Sequence, residues 1–415
     1  WLRLLAGETP DLYAVGDDDQ SIYRWRGADV RNVRRFQQDY PAARVLLLEQ
    51  NYRSTQTILD AAMGVIDRAP GRQRKQLFTD RGQGELVTIH EAYDEGDEAL
   101  YVLETLVAGA RERLWDAGDV AIMYRTNAQS RVLEEAFLRH NLPYRLVGAQ
   151  RFYGRREVKD LIAYLRLILN PADQVSLLRV LNTPPRGLGA KSIETLLTLA
   201  DQQRLSPAAI LQDLAGPDAA FRTTFGARPA SALADFGQRL AAWRSLASTA
   251  PVAAVLEAVL REVGYRQFID DGTEEGEERW ANVEELLNLA QEDPGIALET
   301  FLENIALVSD QDTLSEDQHA ATLLTLHAAK GLEFPVVFIV GLDEGLLPHQ
   351  RSYEDPEAMA EERRLFYVGM TRAKDRLFLV RTFRRHAAGT ASLTEASRFL
   401  SDLPADRIQG ASPTR

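Results

Sequence analysis

An interrupted rhythm of strand-like and helix-like segments runs along this chain. Short β-rich apolar runs at Leu12–Val15, Val45–Leu48, Leu86–His90, Val120–Tyr124 and Tyr144–Val147 alternate with amphipathic stretches near 54–67, 95–115 and 127–140. Strand, helix, strand in this order predicts βαβ units and a parallel sheet. From Arg155 to about Val308 the strand signal disappears and helical periodicities broken by Gly and Pro take over. It then returns at Leu323–Leu326, Val336–Val340 and Leu377–Val380. The expectation is an α/β domain carrying an inserted all-helical domain, with a flexible Gly/Ser/Pro tail near 409–413.

Composition narrows the chemistry. With 415 residues, 45% hydrophobic and 26% charged, the chain has the makeup of a globular protein of two or three cores. It contains no cysteine, which removes disulfides and thiolate metal sites, and its six histidines are not at zinc-ligand spacing. No metal site built from this chain's side chains is expected. The longest apolar run, Val336 to Leu342, is too short to span a bilayer, so no membrane partner is expected. No charged-then-apolar leader opens the chain, and Trp1 stands where Met would, so the natural amino terminus is expected to be absent. The net charge of −13 opposes a polyanionic partner on average. Arg24, Arg26, Arg31, Arg34 and Arg35 nevertheless crowd one segment, and Arg151, Arg155, Arg156 and Lys159 another, so local fields can favour nucleic acid.

Four blocks carry the chemistry. In Tyr13-Ala-Val-Gly-Asp-Asp-Asp-Gln-Ser-Ile-Tyr-Arg-Trp-Arg-Gly-Ala28 an apolar run ends in a polar loop bearing Gln20. Tyr23 and Trp25 then alternate with Arg24 and Arg26. That pattern supplies stacking faces and phosphate charges for a single strand, or else a core Trp beside solvated arginines. In Leu48-Glu-Gln-Asn-Tyr-Arg-Ser-Thr55, Tyr52 and Arg53 sit at a strand-to-helix corner, either to stack on a base and reach a phosphate or as part of a capping turn. The third block is Thr325-Leu-His-Ala-Ala-Lys-Gly-Leu-Glu-Phe334. The fourth, Glu361-Glu-Arg-Arg-Leu-Phe-Tyr-Val-Gly-Met-Thr-Arg-Ala-Lys374, offers Arg372 as a finger for a transferring phosphoryl group or as a surface ion pair with Glu361 or Glu362.

In this order and spacing, the four blocks resemble the UvrD, PcrA and Rep family of superfamily 1 DNA helicases. The resemblance extends over essentially the whole chain and includes Ala121-Ile-Met-Tyr-Arg-Thr-Asn-Ala-Gln-Ser130 and Asn182-Thr-Pro-Pro-Arg-Gly-Leu-Gly189. It implies the end of a first RecA-like domain (1A) at 1–46 and a second RecA-like domain (2A) at 47–148 and 318–405. It also implies a helical 2B insert at 149–317 and a tail at 406–415.

The same resemblance implies roles for individual residues. Gln20 corresponds to a γ-phosphate sensor, Tyr52 to an adenine stack, Arg53 and Arg372 to γ-phosphate arginines, and Glu333 to an acid near the ribose. Tyr23, Trp25 and Arg26 correspond to single-strand contacts. Arg125, Thr126, Asn127, His327 and Lys330 correspond to grips on the DNA track. Thr183, Gly187 and Gly189 fall in a loop before a helix that resembles a duplex-phosphate contact, with an ordinary connecting turn as the weaker alternative. The implied activity is ATP-dependent 3′-to-5′ translocation and unwinding in the bacterial cytosol at the nucleoid, with single-stranded DNA, a duplex junction and unspecified repair proteins as partners. Alternatives are a DNA-binding module alone or a helicase–nuclease subunit.

Two departures stand out. The pattern G-x-x-x-x-G-K-[ST] is absent: none of the five lysines follows a glycine, and Gly187-Leu-Gly-Ala-Lys-Ser192 would need Gly at Pro185 and Ala190. The expectation is that an amino-terminal half supplies the phosphate loop and the Mg²⁺ ligands, and that this chain alone does not hydrolyse ATP. The family's aromatic hairpin tip aligns with Ala388, followed by Gly389, with Phe383 or His386 as substitutes.

Overall fold

A computed structural model describes residues 12–24, 35–36, 38–72, 74–311, 319–387 and 390–411. The chain divides into two compact units. One comprises 1–149, 315–385 and 391–415, and the other 150–314 with 386–390.

The first unit is an α/β layer structure. Its strands are β1 (Val87–Ala92), β2 (Val120–Tyr124), β3 (Tyr144–Val147), β4 (Ala321–Thr325), β5 (Phe334–Ile339), β6 (Ala373–Thr382) and β9 (Ile408–Gly410). They form one sheet in the order β3-β4-β2-β5-β6-β1-β9, and every pair is parallel. A parallel sheet is covered on both faces, so its central strands read as continuous apolar runs, and all five residues of β2 are buried. Alternation along the strands sorts the core into two layers. Ala121, Met123, Leu324, Val337 and Ile339 face one side, packed with α1 (Gln56–Ile66) and α13 (Pro356–Met370). Val120, Ile122, Tyr124, Leu323 and Phe338 face the other, packed with α2 (Glu95–Arg111) and α3 (Ser130–Arg139). Asp94 starts α2 by accepting from the amides of Gly96 and Asp97, both at 3.1 Å.

Three expectations fail here. Leu12–Val15 and Val45–Leu48 are not strands: no neighbour among the described residues takes up their backbone groups, and Tyr13, Val15, Leu46 and Leu48 are exposed. A strand is stable only in a ladder, and the sheet of this unit ends on β3 and β9. The supposed flexible tail from 406 instead contains β9, whose Ile408 pairs with Val87 at the sheet edge. Ala388 and Gly389, the expected hairpin tip, lie outside the described residues. Arg384–Ala387 (β7) and Thr390–Leu393 (β8) on either side form a separate two-stranded sheet.

The second unit contains no strand between 150 and 308 among the described residues. Its helices are α4 (Arg156–Leu169), α5 (Gln174–Val180), α6 (Ala190–Gln203), α7 (Pro207–Ala215), α8 (Ala227–Ala247), α9 (Val252–Val263), α10 (Tyr265–Ile269), α11 (Glu274–Glu292) and α12 (Leu298–Gln311). They share one core, in which Trp243 lies edge-on to Tyr164 and to Phe236 and donates its indole N–H to Glu262 at 2.8 Å. α8 approaches α7 so closely that a methyl added at Gly237 would overlap the Leu211 carbonyl.

Candidate nucleotide and nucleic-acid site

Functional side chains of the first unit gather where α13 gives way to β6. Thr371 caps the helix and Arg372 immediately precedes the strand. The Arg372 amide follows the helix turn at Gly369 O, and its carbonyl receives the Phe334 amide at 2.9 Å, which ties the amino ends of β5 and β6 together. Ser54 and Thr55 dock on the same edge through Ala373 O (2.6 Å) and Lys374 O (3.1 Å). The site therefore lies at the amino ends of these strands. The reading that placed Gln20 at the end of a strand is corrected: Gln20 closes a 3-10 turn, Asp18–Gln20.

Arg372 is 2% exposed. Its Nε donates to Val368 O (3.0 Å), Nη1 to Leu332 O (3.3 Å), and Nη2 to Thr371 Oγ1 (3.2 Å) and Gln20 Oε1 (3.4 Å). Among the described residues no carboxylate pairs with it, and the surface-pair alternative fails. Glu362 is taken by Arg125, and Glu361 accepts the Arg24 amide at 2.9 Å. Burial, reinforced by the charge of Arg53, pushes the guanidinium down to about 10, which leaves it cationic at neutral pH. Arg53 donates to Glu333 Oε2 at 2.8 Å and to Thr371 O at 3.1 Å. Glu333 also meets Lys374 Nζ at 2.8 Å, and hydrogen bonds from Lys374 and Arg53 hold its carboxyl at about 2. Asn51 Oδ1 accepts the amides of Arg53 and Ser54, both at 2.9 Å, fixing the corner that presents Tyr52, which is 78% exposed.

A second group adjoins the first through Gln20. Tyr23 Oη donates to His327 O (3.3 Å), and Lys330 Nζ lies 5.0 Å from the Tyr23 ring centroid while donating to Gln20 O at 2.7 Å. An aromatic face with an ammonium over it suits a nucleotide chain, since stacking and phosphate charge are offered together. Trp25 and Arg26 lie outside the described residues.

Arg125 does not join this exposed surface. Its side chain is buried and meets Glu362 through Nε (3.1 Å) and Nη2 (2.8 Å). A desolvated guanidinium requires such a partner. Thr126 is likewise buried and caps the turn Asn127–Gln129, with its amide on Gln129 Oε1 at 2.9 Å. Asn127 begins that turn and is partly exposed.

In the second unit, the loop from Thr183 to Gly189 runs into the start of α6, with Gly189 as its N-cap. Gly187 has φ 73°, a conformation that favours glycine, and is exposed. Asn182 staples the loop by accepting the Arg186 amide (2.7 Å) and donating to Leu188 O (3.0 Å). The Arg186 guanidinium turns inward onto Val180 O, Leu181 O and the Tyr164 hydroxyl. The exposed cation at the start of the helix is Lys191.

Residues that pattern reading did not single out include Asn51, Lys374, Asp17, Asp19, Arg72 and Lys75. Lys374 is the last residue of the fourth block, so proximity to Arg372 was an available signal. The Arg72–Lys75 basic run carried no motif.

The model of the UvrD-like helicase C-terminal domain matches residues 46–216 and 228–383, and that of the UvrD/REP helicase N-terminal domain matches residues 1–41. The chain is 40% identical to ATP-dependent DNA helicase PcrA of Leuconostoc citreum over 421 residues, covering 99% of this chain and 56% of that protein. It is 42% identical to ATP-dependent DNA helicase UvrD1 of Mycobacterium tuberculosis (strain ATCC 25618 / H37Rv), covering 96% and 54%. It is 40% identical to DNA helicase II of Escherichia coli (strain K12), covering 99% and 57%. The chain thus spans just over half the length of these relatives.

Proposed function

Because the chain belongs to the UvrD-like helicase family, we propose that it is the carboxy-terminal portion of an ATP-driven motor that moves 3′-to-5′ on single-stranded DNA and unwinds the duplex ahead of it in repair or replication. The observation that carries this reading is Arg372, a buried cation held by carbonyl and hydroxyl oxygens with no carboxylate partner among the described residues. Such a group is already desolvated and oriented, so it stabilises charge developing on a transferred phosphoryl group without reorganising. ATP enters as the substrate. Arg53 adds a second cation, Tyr52 an exposed ring for the base, Glu333 an acid beside both, and Gln20 the link from Arg372 to the Tyr23–Lys330 group.

On this reading residues 1–46 end a first RecA-like domain, 47–148 and 318–405 form a second, and 149–317 form the helical insert. Tyr23, Trp25, Arg26, His327, Lys330 and Asn127 contact the single strand, with Thr126 shaping the turn that carries Asn127. Thr183, Gly187 and Gly189 approach duplex phosphate at the start of α6. Arg125 is withdrawn from the DNA contacts. The proposed substrate implies action at the nucleoid in the bacterial cytosol. No helix among the described residues is long and apolar enough to cross a membrane.

Mg²⁺ accompanies ATP in chemistry of this kind. One or two carboxylates together with the phosphates suffice to hold that ion, and among the described residues no three His, Asp or Glu side chains converge on a metal position. We assign its ligands and the phosphate loop, for which the sequence has no match, to a part of the protein beyond this chain. By itself the chain then binds DNA without turning over ATP. In the full-length protein, Arg372→Ala should lower the kcat of DNA-stimulated ATP hydrolysis by roughly 10³-fold, with single-strand affinity nearly unchanged. Full turnover in that variant would sink the assignment.

A further inference from the structure

The Gln20 turn is gripped from a direction that no motif marks. Gln20 Nε2 donates to Asp17 Oδ2 at 2.6 Å, and its Oε1 faces Arg372 Nη2. A carboxylate only accepts and a guanidinium only donates, so these two neighbours fix which end of the Gln20 amide points where. The carboxylates are themselves fixed. Lys75 Nζ lies 2.7 Å from Asp17 Oδ1 and 3.4 Å from Asp19 Oδ2. Arg72 meets Asp19 with two bonds, Nε to Oδ1 at 2.8 Å and Nη2 to Oδ2 at 2.9 Å, and also pairs with Asp67. Arg72 and Asp19 are each 5% exposed in their side chains, so this is a desolvated bidentate pair, the kind that holds geometry. Against partial desolvation, the Lys75 hydrogen bond and charge keep the half-exposed Asp17 carboxyl below its ordinary range. The turn's backbone is also held, by Lys330 on Gln20 O and Arg364 on Ser21 O at 2.7 Å each.

We propose that Lys75 and Arg72, on the segment after α1, are positioning residues that orient Gln20 against Arg372 through Asp17 and Asp19. They touch neither nucleotide nor DNA in the proposed reaction. Lys75 neutralises Asp17, so the carboxylate serves as an oriented acceptor for the Gln20 amide instead of an uncompensated negative charge beside a phosphate site. Arg72 holds the other acid of the same turn. The inference rests on the helicase reading for its consequence in turnover, but not for its consequence in structure.

The test uses the full-length protein containing this segment, with Lys75→Met, Lys75→Arg and the pair Asp17→Asn/Lys75→Met. Lys75→Met should lower kcat for DNA-stimulated ATP hydrolysis by roughly ten- to hundredfold, as for a small displacement of a reacting group, with a much smaller change in KM for ATP. Lys75→Arg should recover most of that loss, and removing the acid together with the lysine should do less harm than removing the lysine alone. Independently of turnover, amide hydrogen exchange in residues 17–23 should rise in Lys75→Met while β2 and β6 exchange as in the parent, which separates a loosened turn from a misfolded domain. Unchanged exchange at 17–23, or unchanged kcat in a parent that hydrolyses ATP, overturns the proposal. A parent without DNA-stimulated turnover, in which exchange at 17–23 still rises, overturns the helicase reading and leaves the positioning role standing.

Discussion

Arg53 and Glu333 meet at 2.8 Å on the surface of the candidate site, and the same carboxylate holds Lys374 at 2.8 Å through its other oxygen. One acid thus keeps two cations in place beside the buried Arg372. Glu333 has a folded-state pKa of about 2, below its ordinary 4.5. A depressed carboxyl stabilises the fold above its ordinary pKa, and that contribution is lost as pH falls through the folded value. With Glu333 45% exposed, solvent screens the pair, and the effect is below about 1 kcal/mol. Thermal unfolding of the parent and of Glu333→Gln should show a small gap at pH 7 that closes between pH 4.5 and 2. A gap that persists at pH 2 would assign the stabilisation to something other than this charge.

The buried pair Arg125–Glu362 makes a larger prediction with opposite consequences for stability and binding. The Glu362 carboxylate takes the guanidinium at 2.8 Å and the His349 amide at 2.9 Å. Arg125→Met strands a buried carboxylate and should cost about 3–5 kcal/mol in chemical denaturation, whereas Arg125→Met with Glu362→Leu should recover most of it. Single-strand affinity of the folded double variant should match the parent. A specific loss of DNA binding there would restore Arg125 to the nucleic-acid surface.

That pair also shows where sequence reading stops. Arg125 lies in a block whose resemblance pointed to DNA, and nothing local marks it as buried, because its partner is 237 positions away. The same holds for Tyr23 and His327, which are 304 positions apart. β2 and β5 were legible because a parallel strand buried on both faces is apolar throughout. β9 was not, since Ile408-Gln-Gly410 is short and its pairing with β1 is entirely non-local. Leu12–Val15 and Val45–Leu48 were misread for the converse reason: an apolar run states a propensity, and only a neighbouring strand makes it a ladder.

Packing in the helical unit gives a prediction independent of any function. Gly237 sits on α8 against the Leu211 carbonyl of α7, where a methyl has no space. Gly237→Ala gains helix propensity but forces the two helices apart, and overpacking of this kind costs about 1–3 kcal/mol. Hydrogen exchange should then accelerate in α7 and α8 and stay at parental rates in the parallel sheet. Slower exchange in α8 would mean that the propensity gain outweighs the clash.

Tyr52 separates stacking from stability. Its ring is 78% exposed, and its hydroxyl donates to Gln50 Oε1 at 2.9 Å, so the fold gains little from it. Tyr52→Ala should leave unfolding within about 0.5 kcal/mol of the parent, as expected for an exposed position. In the full-length protein the same substitution should weaken ATP binding, because removing an aromatic face under a base costs roughly 1–3 kcal/mol by analogy with base stacking in single-strand sites. Tyr52→Phe keeps the face and loses only the hydroxyl, so nucleotide affinity should remain near parental. If Tyr52→Phe proved as damaging as Tyr52→Ala, the hydroxyl and its bond to Gln50 would be the functional element, and the ring would not be the base platform.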